Sequence, residues 1–483
     1  MKTHDLRNKV EGLREAAARL EPDAAHREQS LGKVAAHAEE FLRSLPHQPV
    51  YAAPGDRDEV MQAFQVREVP AGIEEALDLL GAYVDGKGQT LGSSRFFAYI
   101  PSGGLYESAL ADYLAAVTNP FAGVGQAAPG AVRMEESLLH WLAGVVGYPE
   151  TAEGDLTSGG SMAALSAVVA AREAAAINSS RVVRSVVYLT THTHHTFRKA
   201  LHIAGLGDCV VREVAVDSRH RMDPVALQQQ IQNDLDDDLS PWFIAATAGT
   251  TNAGAVDPLD EIADVAQEFK LWFHVDAAYG GSFALCETGK QRLAGLERTD
   301  SLILDPHKGF FLPCGIGVVL VRDGRKLYDA YHARGAYMQD MSHDTERSPC
   351  DFSAELTRPF RALRFWLPFK IHGSRPFAAA LEEKLLLARY FYEQVSLIPE
   401  IEVGSPPDLS IVTFRYLPRD GGADTFNRRL ADAIRDDGRV FLTSTTMSGH
   451  YTIRMAILNF RTHIEDVDMA LAVIREKIAE LAA

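Results

Sequence analysis

Hydrophobic and polar positions change rhythm three times along the chain. Residues 1–45 are rich in Ala, Leu, Glu and Arg at helical spacing, which predicts a leading helical segment. A Pro-His-Gln-Pro run starting at Pro46 then breaks the pattern. From about residue 130, apolar runs alternate with amphipathic stretches. The spacing predicts helices over 132–146, 161–176 and 259–269. It predicts strands over 185–189, 210–216, 242–247, 271–275, 301–304 and 316–321. Apolar strands separated by helices imply a largely parallel sheet covered on both faces. The last two strands, joined through 309–315, are expected to run antiparallel. After about residue 375 the rhythm changes again. A helix over 375–395, a strand over 409–416 and a helix over 424–435 lead to strands over 440–445 and 451–457 and a final helix over 464–481. This pattern predicts a small α+β domain with an antiparallel sheet. The expected organisation is a helical segment over 1–130, a large α/β domain over 131–375 and a small domain over 376–483. A leading helical segment of this kind suits packing on a partner subunit, and a solvated helical pair equally.

Composition narrows the class. The 483 residues are 46% hydrophobic and 23% charged, ordinary for a globular protein. The net charge of −17 argues against a general binder of nucleic acid or anionic membrane. No apolar run approaches the ~18 residues needed to span a bilayer, and the charged N-terminus lacks the apolar core of a signal peptide. Cys209, Cys286, Cys314 and Cys350 are scattered, without a Cys-x-x-Cys pair. The expected compartment is a reducing cytoplasm.

Two strand ends carry the chemistry. One reads His274-Val275-Asp276-Ala277-Ala278-Tyr279, the other Asp305-Pro306-His307-Lys308. In open α/β sheets, ligands bind beyond the carboxyl ends of the strands. A carboxylate and a lysine placed there suit pyridoxal phosphate. Lys308 forms a Schiff base with the aldehyde, and Asp276 pairs with the protonated pyridine nitrogen. Thr157-Ser158-Gly159-Gly160-Ser161 opens a helix, where glycines, free N–H groups and the helix dipole favour an anion such as phosphate. It lacks the Walker lysine and the Gly-x-Gly-x-x-Gly spacing of nucleotide sites. His192, His194 and His195 follow a strand without a nearby acidic partner, so no metal site is expected. His194 is the candidate for an imidazole lying flat over an aromatic cofactor. Ala248-Gly249-Thr250-Thr251-Asn252 can line the same edge.

In this order, these segments resemble the group II pyridoxal-phosphate-dependent amino-acid decarboxylases, most nearly the aromatic L-amino-acid branch. Further matching stretches are Ser94-Arg95-Phe96-Phe97-Ala98-Tyr99-Ile100-Pro101-Ser102 and Leu356-Thr357-Arg358-Pro359-Phe360-Arg361. The resemblance spans roughly residues 60–480. It implies a fold-type I enzyme with a mostly parallel, seven-stranded-type sheet, and a homodimer with active sites at the interface. By the same resemblance, Ala278 packs on one ring face and His194 on the other. Gly160, Ser161 and His307 contact the phosphate, and Thr251 sits beside the cofactor. Tyr99, Pro101 and Ser102 line the substrate site, and Phe121 reaches it from the partner. The implied reaction is α-decarboxylation of an L-amino acid, aromatic or bulky apolar, through a quinonoid to the amine and CO₂.

Three departures bear on this expectation. Gly309 follows the lysine where the aromatic branch has a tryptophan. Asp305 replaces its phosphate-side asparagine, so Asp305 either faces away from the phosphate or carries a proton. The loop tyrosine that protonates the quinonoid counts to Pro349, so either the loop aligns differently and Tyr337 or His343 donates, or the proton arrives otherwise. Relatives that lack this tyrosine include oxidative enzymes that release an aldehyde, which is the alternative outcome. Gly123 replaces a second partner-subunit aromatic, which leaves room to enlarge the pocket or to admit another side chain. Arg454 and Arg361 are possible carboxylate partners, and the loop over 333–353 is a candidate lid.

Overall fold

The computed structural model describes residues 3–101, 103–333 and 347–482. The chain divides into two compact units, Met1–Ser93 and Ser94–Ala483.

The first unit is helical, as its periodicity predicts. Helices Thr3–Ala17 and Ala24–Ser44 are its longest elements, and neither contains a buried residue. The second begins at an N-cap, the Asp23 carboxylate accepting the His26 N–H. A two-stranded antiparallel pair, β1 (Tyr51–Ala52) and β2 (Gly88–Gln89), completes the unit.

The second unit holds the main sheet. Its strands are β3 (Glu153–Thr157), β4 (Ser185–Leu189), β5 (Val210–Glu213), β6 (Ser240–Thr247), β7 (Trp272–Asp276), β8 (Ser301–Leu304) and β9 (Gly317–Val321). Their order is β3-β9-β8-β7-β6-β4-β5. Neighbours from β5 through β8 run parallel, and β9 runs antiparallel to both β8 and β3. The mostly parallel seven-stranded sheet is therefore observed, including the antiparallel β8–β9 pair. Within the main sheet, the strand missing from the sequence expectation is β3. Its sequence Glu-Gly-Asp-Leu-Thr has no apolar run to mark it, and it is placed by pairing with β9.

Alternation along the central strands explains why this sheet needs helices on both sides. Val186, Tyr188, Ile244 and Ala246 point into one core, and Val187, Leu189, Phe243 and Ala245 into another. Helix Leu259–Phe269 connects β6 to β7, and helix Gly160–Ala174 follows β3. A third core lies against a four-stranded antiparallel sheet. Its strands are β10 (Ile401–Val403), β11 (Ile411–Tyr416), β12 (Thr443–Met447) and β13 (His450–Ala456), in the order β10-β11-β13-β12. The segment that begins the second unit joins this sheet: the Phe97 N–H donates to the Phe441 carbonyl, and the Ala456 N–H to the Phe97 carbonyl.

Buried charge braces one edge of the main sheet. Arg358 is buried, with Nη1 2.6 Å from Asp155 Oδ1 and Nη2 3.2 Å from Glu135 Oε1. Nη2 also donates to the Leu156 carbonyl at 2.5 Å. Burial raises the Glu135 pKa, and the Arg358 charge opposes that shift. The guanidinium thereby ties the segment before residue 361 to the strand that leads into the Gly159-Gly160 turn. No helix among the described residues is long and apolar enough to cross a membrane.

Candidate active site

Register puts the polar groups at one level. In the parallel ladder, Thr247 pairs with Asp276 and Asp276 with Ile303, so β6, β7 and β8 end together. The chain beyond each end must turn away, and the turns enclose a cavity of about 340 Å³. Gly160 and Ser161 line it from the start of helix Gly160–Ala174, and His194 and Thr251 from the loops after β4 and β6. Asp276 and Ala278 line it from the end of β7, and His307 and Lys308 from the turn after β8. These eight residues come from five segments of chain.

At one end of the cavity, Asp276 Oδ1 accepts the Ala278 N–H at 3.1 Å. Burial raises the Asp276 pKa, and the Lys308 charge opposes the shift. A carboxylate so placed favours a cationic partner. His194 caps helix His195–Ile203, its Nδ1 accepting the Thr196 N–H. The proton of the neutral ring then lies on Nε2. Burial lowers the His194 pKa, which favours that neutral ring.

At the other end, Lys308 Nζ lies 2.9 Å from Asp305 Oδ2. His307 Nδ1 donates to the Ile316 carbonyl at 2.6 Å, which turns Nε2 toward Asp305 at 3.9 Å. Asp305 therefore does not face away. A Cβ built on Gly160 would lie 2.8 Å from its Oδ2, so the carboxylate abuts the helix start.

These residues fit pyridoxal phosphate on structural grounds. Gly160 leaves room that a side chain would fill beside Asp305. Two buried oxygens in the lining, Thr247 Oγ1 and Asp305 Oδ1, have no hydrogen-bond partner among the described residues. A lysine, a buried carboxylate and a helix start with free N–H groups are the donor set that an aldehyde, a pyridine nitrogen and a phosphate require.

The expected substrate residues lie elsewhere. Tyr99 lines an adjoining cavity of about 330 Å³ that shares Thr251 with the first. Tyr99 has a left-handed backbone (φ 49°), and its carbonyl accepts Arg454 Nη2 at 2.9 Å. Arg454 also donates to Thr443 Oγ1, and burial pushes its guanidinium pKa down to about 10. Arg361 instead pairs with Glu355. Pro101 is buried, and Ser102 lies outside the described residues. Phe121 is 39% exposed and lines neither cavity. Tyr337, His343 and most of the 333–353 loop also lie outside the described residues.

Packing accounts for two of the glycines, Gly309 and Gly123. A Cβ on Gly309 would meet Ser282 Cβ at 2.5 Å, so no side chain fits after Lys308. At Gly123 the Leu356 carbonyl occupies the place of a side chain. Within this chain, backbone fills the space that a side chain at 123 would take. Thr247, which lines the cavity, carries no motif that marks it in the sequence. Its only signal is its place as the last residue of β6.

Comparison with known proteins adds a family. Residues 80–417 match the family described as "pyridoxal-dependent decarboxylase conserved domain". An aromatic-L-amino-acid decarboxylase of Bacillus atrophaeus is 35% identical over 379 residues, covering 77% of this chain and 78% of that protein. A phenylacetaldehyde synthase of Arabidopsis thaliana is 30% identical over 404 residues, covering 80% and 82%. The crystal structure of Oryza sativa TDC with PLP and tryptamine superposes with a TM-score of 0.90 at 26% identity, covering 96% of this chain and 99% of that one.

Proposed function

Because the chain belongs to the pyridoxal-dependent decarboxylase family and its cofactor is pyridoxal phosphate, we propose that it converts an aromatic or bulky apolar L-amino acid to the amine and CO₂. The observation that carries this reading is the meeting of Asp276, His194, Lys308 and the Gly160-Ser161 turn in one cavity. The bound cofactor supplies an electron-withdrawing ring that stabilises negative charge at the substrate α-carbon. Lys308 is the amine that would hold the cofactor aldehyde. Asp276 would hold the pyridine nitrogen as a cation, which offsets the cost of burying its own charge. His194 and Ala278 would confine the ring faces. Gly160, Ser161 and His307 would take the phosphate, with Thr251 beside the cofactor.

The apolar preference rests on the named substrate class of the Bacillus atrophaeus relative and on Tyr99, Phe441 and Tyr451 in the adjoining cavity. In this reading Tyr99, Pro101 and Ser102 face the substrate, and Phe121 acts in the site of a second copy. The dimer is favoured by helix Tyr106–Thr118, which exposes Tyr106, Leu110, Tyr113, Leu114 and Val117. A cytoplasmic setting suits four cysteines scattered along the chain without a Cys-x-x-Cys pair.

A second reading, oxidative decarboxylation to an aldehyde, is favoured by Pro349. This residue stands where the loop tyrosine counts, is buried, and starts the turn Pro349–Asp351. One experiment separates the two. The holoenzyme is incubated with each L-amino acid in air, and products are read by mass spectrometry with oxygen consumption. The expected result is an amine without oxygen uptake. An aldehyde with oxygen uptake makes the second reading the correct one, and no product from any amino acid removes both.

A further inference from the structure

At the opposite edge of the main sheet from the active site, a second cavity opens where β6, β7 and β8 begin and β9 ends. Its volume is about 710 Å³, against about 340 Å³ for the active-site cavity, and the two share no lining residue. Pro241, Ala263, Ala266 and Leu271 give it an apolar lining, with Trp242 and Trp272 beside them. Trp242 is 6% exposed, and its Nε1 donor has no partner among the described residues. An acceptor brought by a ligand would satisfy it.

The rest of the lining is cationic. Arg181, Lys270, Arg298, Arg322 and Lys326 face one carboxylate among the described residues, Asp300. Asp300 is itself tied to the sheet, its Oδ2 accepting the Phe273 N–H at 2.9 Å. Arg298 is engaged by Asp260 and Asp264. The other four cations lack a close carboxylate. Arg181 donates to the Ala175 and Ala176 carbonyls at 3.1 Å, and Arg322 to the Glu297 carbonyl. Lys326 Nζ lies 5.0 Å over the Trp272 ring and 4.0 Å from Asp300 Oδ1. No hydrogen bond or ion pair among the described residues holds the Lys270 side chain. Positive charge thus gathers around one cavity in a chain whose net charge is −17.

Helix ends explain only part of that charge. Helices Gly160–Ala174 and Leu259–Phe269 end at this edge, and cations such as Arg181 and Lys270 suit helix C-termini. Lys326 stands in the first turn of helix Gly324–Tyr331, where the dipole opposes a cation. Arg322 precedes that helix. Their placement answers to the cavity and not to a helix end.

We propose that this cavity binds a nucleoside di- or triphosphate, with its phosphates on Lys270, Arg322 and Lys326 and its base against the apolar lining. Several cations around one apolar surface match a ligand that carries several negative charges on a flat, weakly polar body. The site is built from side chains and uses no helix N-terminus, so it needs no glycine-rich phosphate loop.

The test uses the holoenzyme, in which the cofactor fills the active site and its visible band reports any ligand that enters there. ATP, adenosine and tripolyphosphate are titrated by calorimetry in the presence of EDTA. ATP is expected to bind at one site per chain, more weakly as salt is added, without changing the cofactor band. It is expected to bind about tenfold or more tightly than adenosine, which lacks the charge, and than tripolyphosphate, which lacks the base. Combining Lys270→Gln with Lys326→Gln is expected to weaken ATP about tenfold or more and to leave turnover unchanged. Absence of ATP binding overturns the proposal without any variant. Tripolyphosphate binding as tightly as ATP also overturns it, because the base is then not recognised. A changed cofactor band, or an unchanged ATP affinity in the double variant, places the nucleotide elsewhere and overturns it too.

Discussion

The two ends of the active-site cavity each carry a buried carboxylate, and the two are partnered in opposite ways. Asp276 accepts a backbone N–H at the end of β7, and burial raises its pKa. In the proposed complex it gains a cationic pyridine nitrogen. Asp305 holds the Lys308 ammonium at 2.9 Å and abuts the helix start at Gly160. In the proposed complex it lies beside the helix start that would take the phosphate. A buried carboxylate is therefore not a role in itself. Its effect depends on the charge that arrives.

The largest expected effect comes from the residue between the two ends. Lys308→Ala is expected to remove the visible absorbance band of the bound cofactor and to lower activity by several orders of magnitude. A retained band places the cofactor elsewhere and ends the comparison. At the ring end, Asp276→Asn keeps the shape but removes the charge. Its kcat is expected to fall about 10²–10³-fold, as when one preorganised electrostatic group is lost. A change confined to KM would mean that Asp276 only positions.

Beneath the phosphate end, Arg358→Ala leaves Glu135 and Asp155 buried without their cation. The expected loss is about 3–5 kcal/mol in denaturant unfolding. An unchanged midpoint would show that the brace on Leu156 is dispensable.

A smaller effect sharpens the ring end. Asp257 accepts the Thr247 N–H at 2.7 Å and the Met222 N–H at 2.7 Å, and burial pushes its pKa up to about 6. The folded state then holds this proton more tightly than the unfolded chain, whose carboxyl has a pKa of about 3.9. The Asp257 contribution to stability is full below that value and is lost as pH rises through about 6. Relative to Asp257→Asn, the wild type is expected to lose about 2 kcal/mol between pH 4 and 7. A stability difference that stays flat over that range would show Asp257 ionised throughout.

How much of this was legible in one chain varied with the kind of signal. The β4, β6, β7 and β8 strands were legible because buried parallel strands are apolar on both faces. The helix Leu259–Phe269 was legible because its apolar spacing is regular. The β3 strand was not, because Glu153-Gly154-Asp155 looks polar until Arg358 neutralises it and β9 covers it. Asp276, Lys308, His194 and Gly160 were legible as residues of the right chemistry at element ends. The direction of Asp305 was not, since a side chain just past a strand can point either way. Nor was the role of Gly123, which answers to the Leu356 carbonyl far away in sequence.

The sequence by itself determined the alternation of strands and helices, the family and the chemical types at the strand ends. These depend on local periodicity and residue identity. Only the tertiary structure decided which groups meet. Strand register levelled Thr247, Asp276 and Ile303, and packing excluded side chains at Gly123 and Gly309. The turn after β8 aimed Asp305 at Gly160. Distances between residues far apart in the chain depend on how the whole core closes, and no local pattern encodes them.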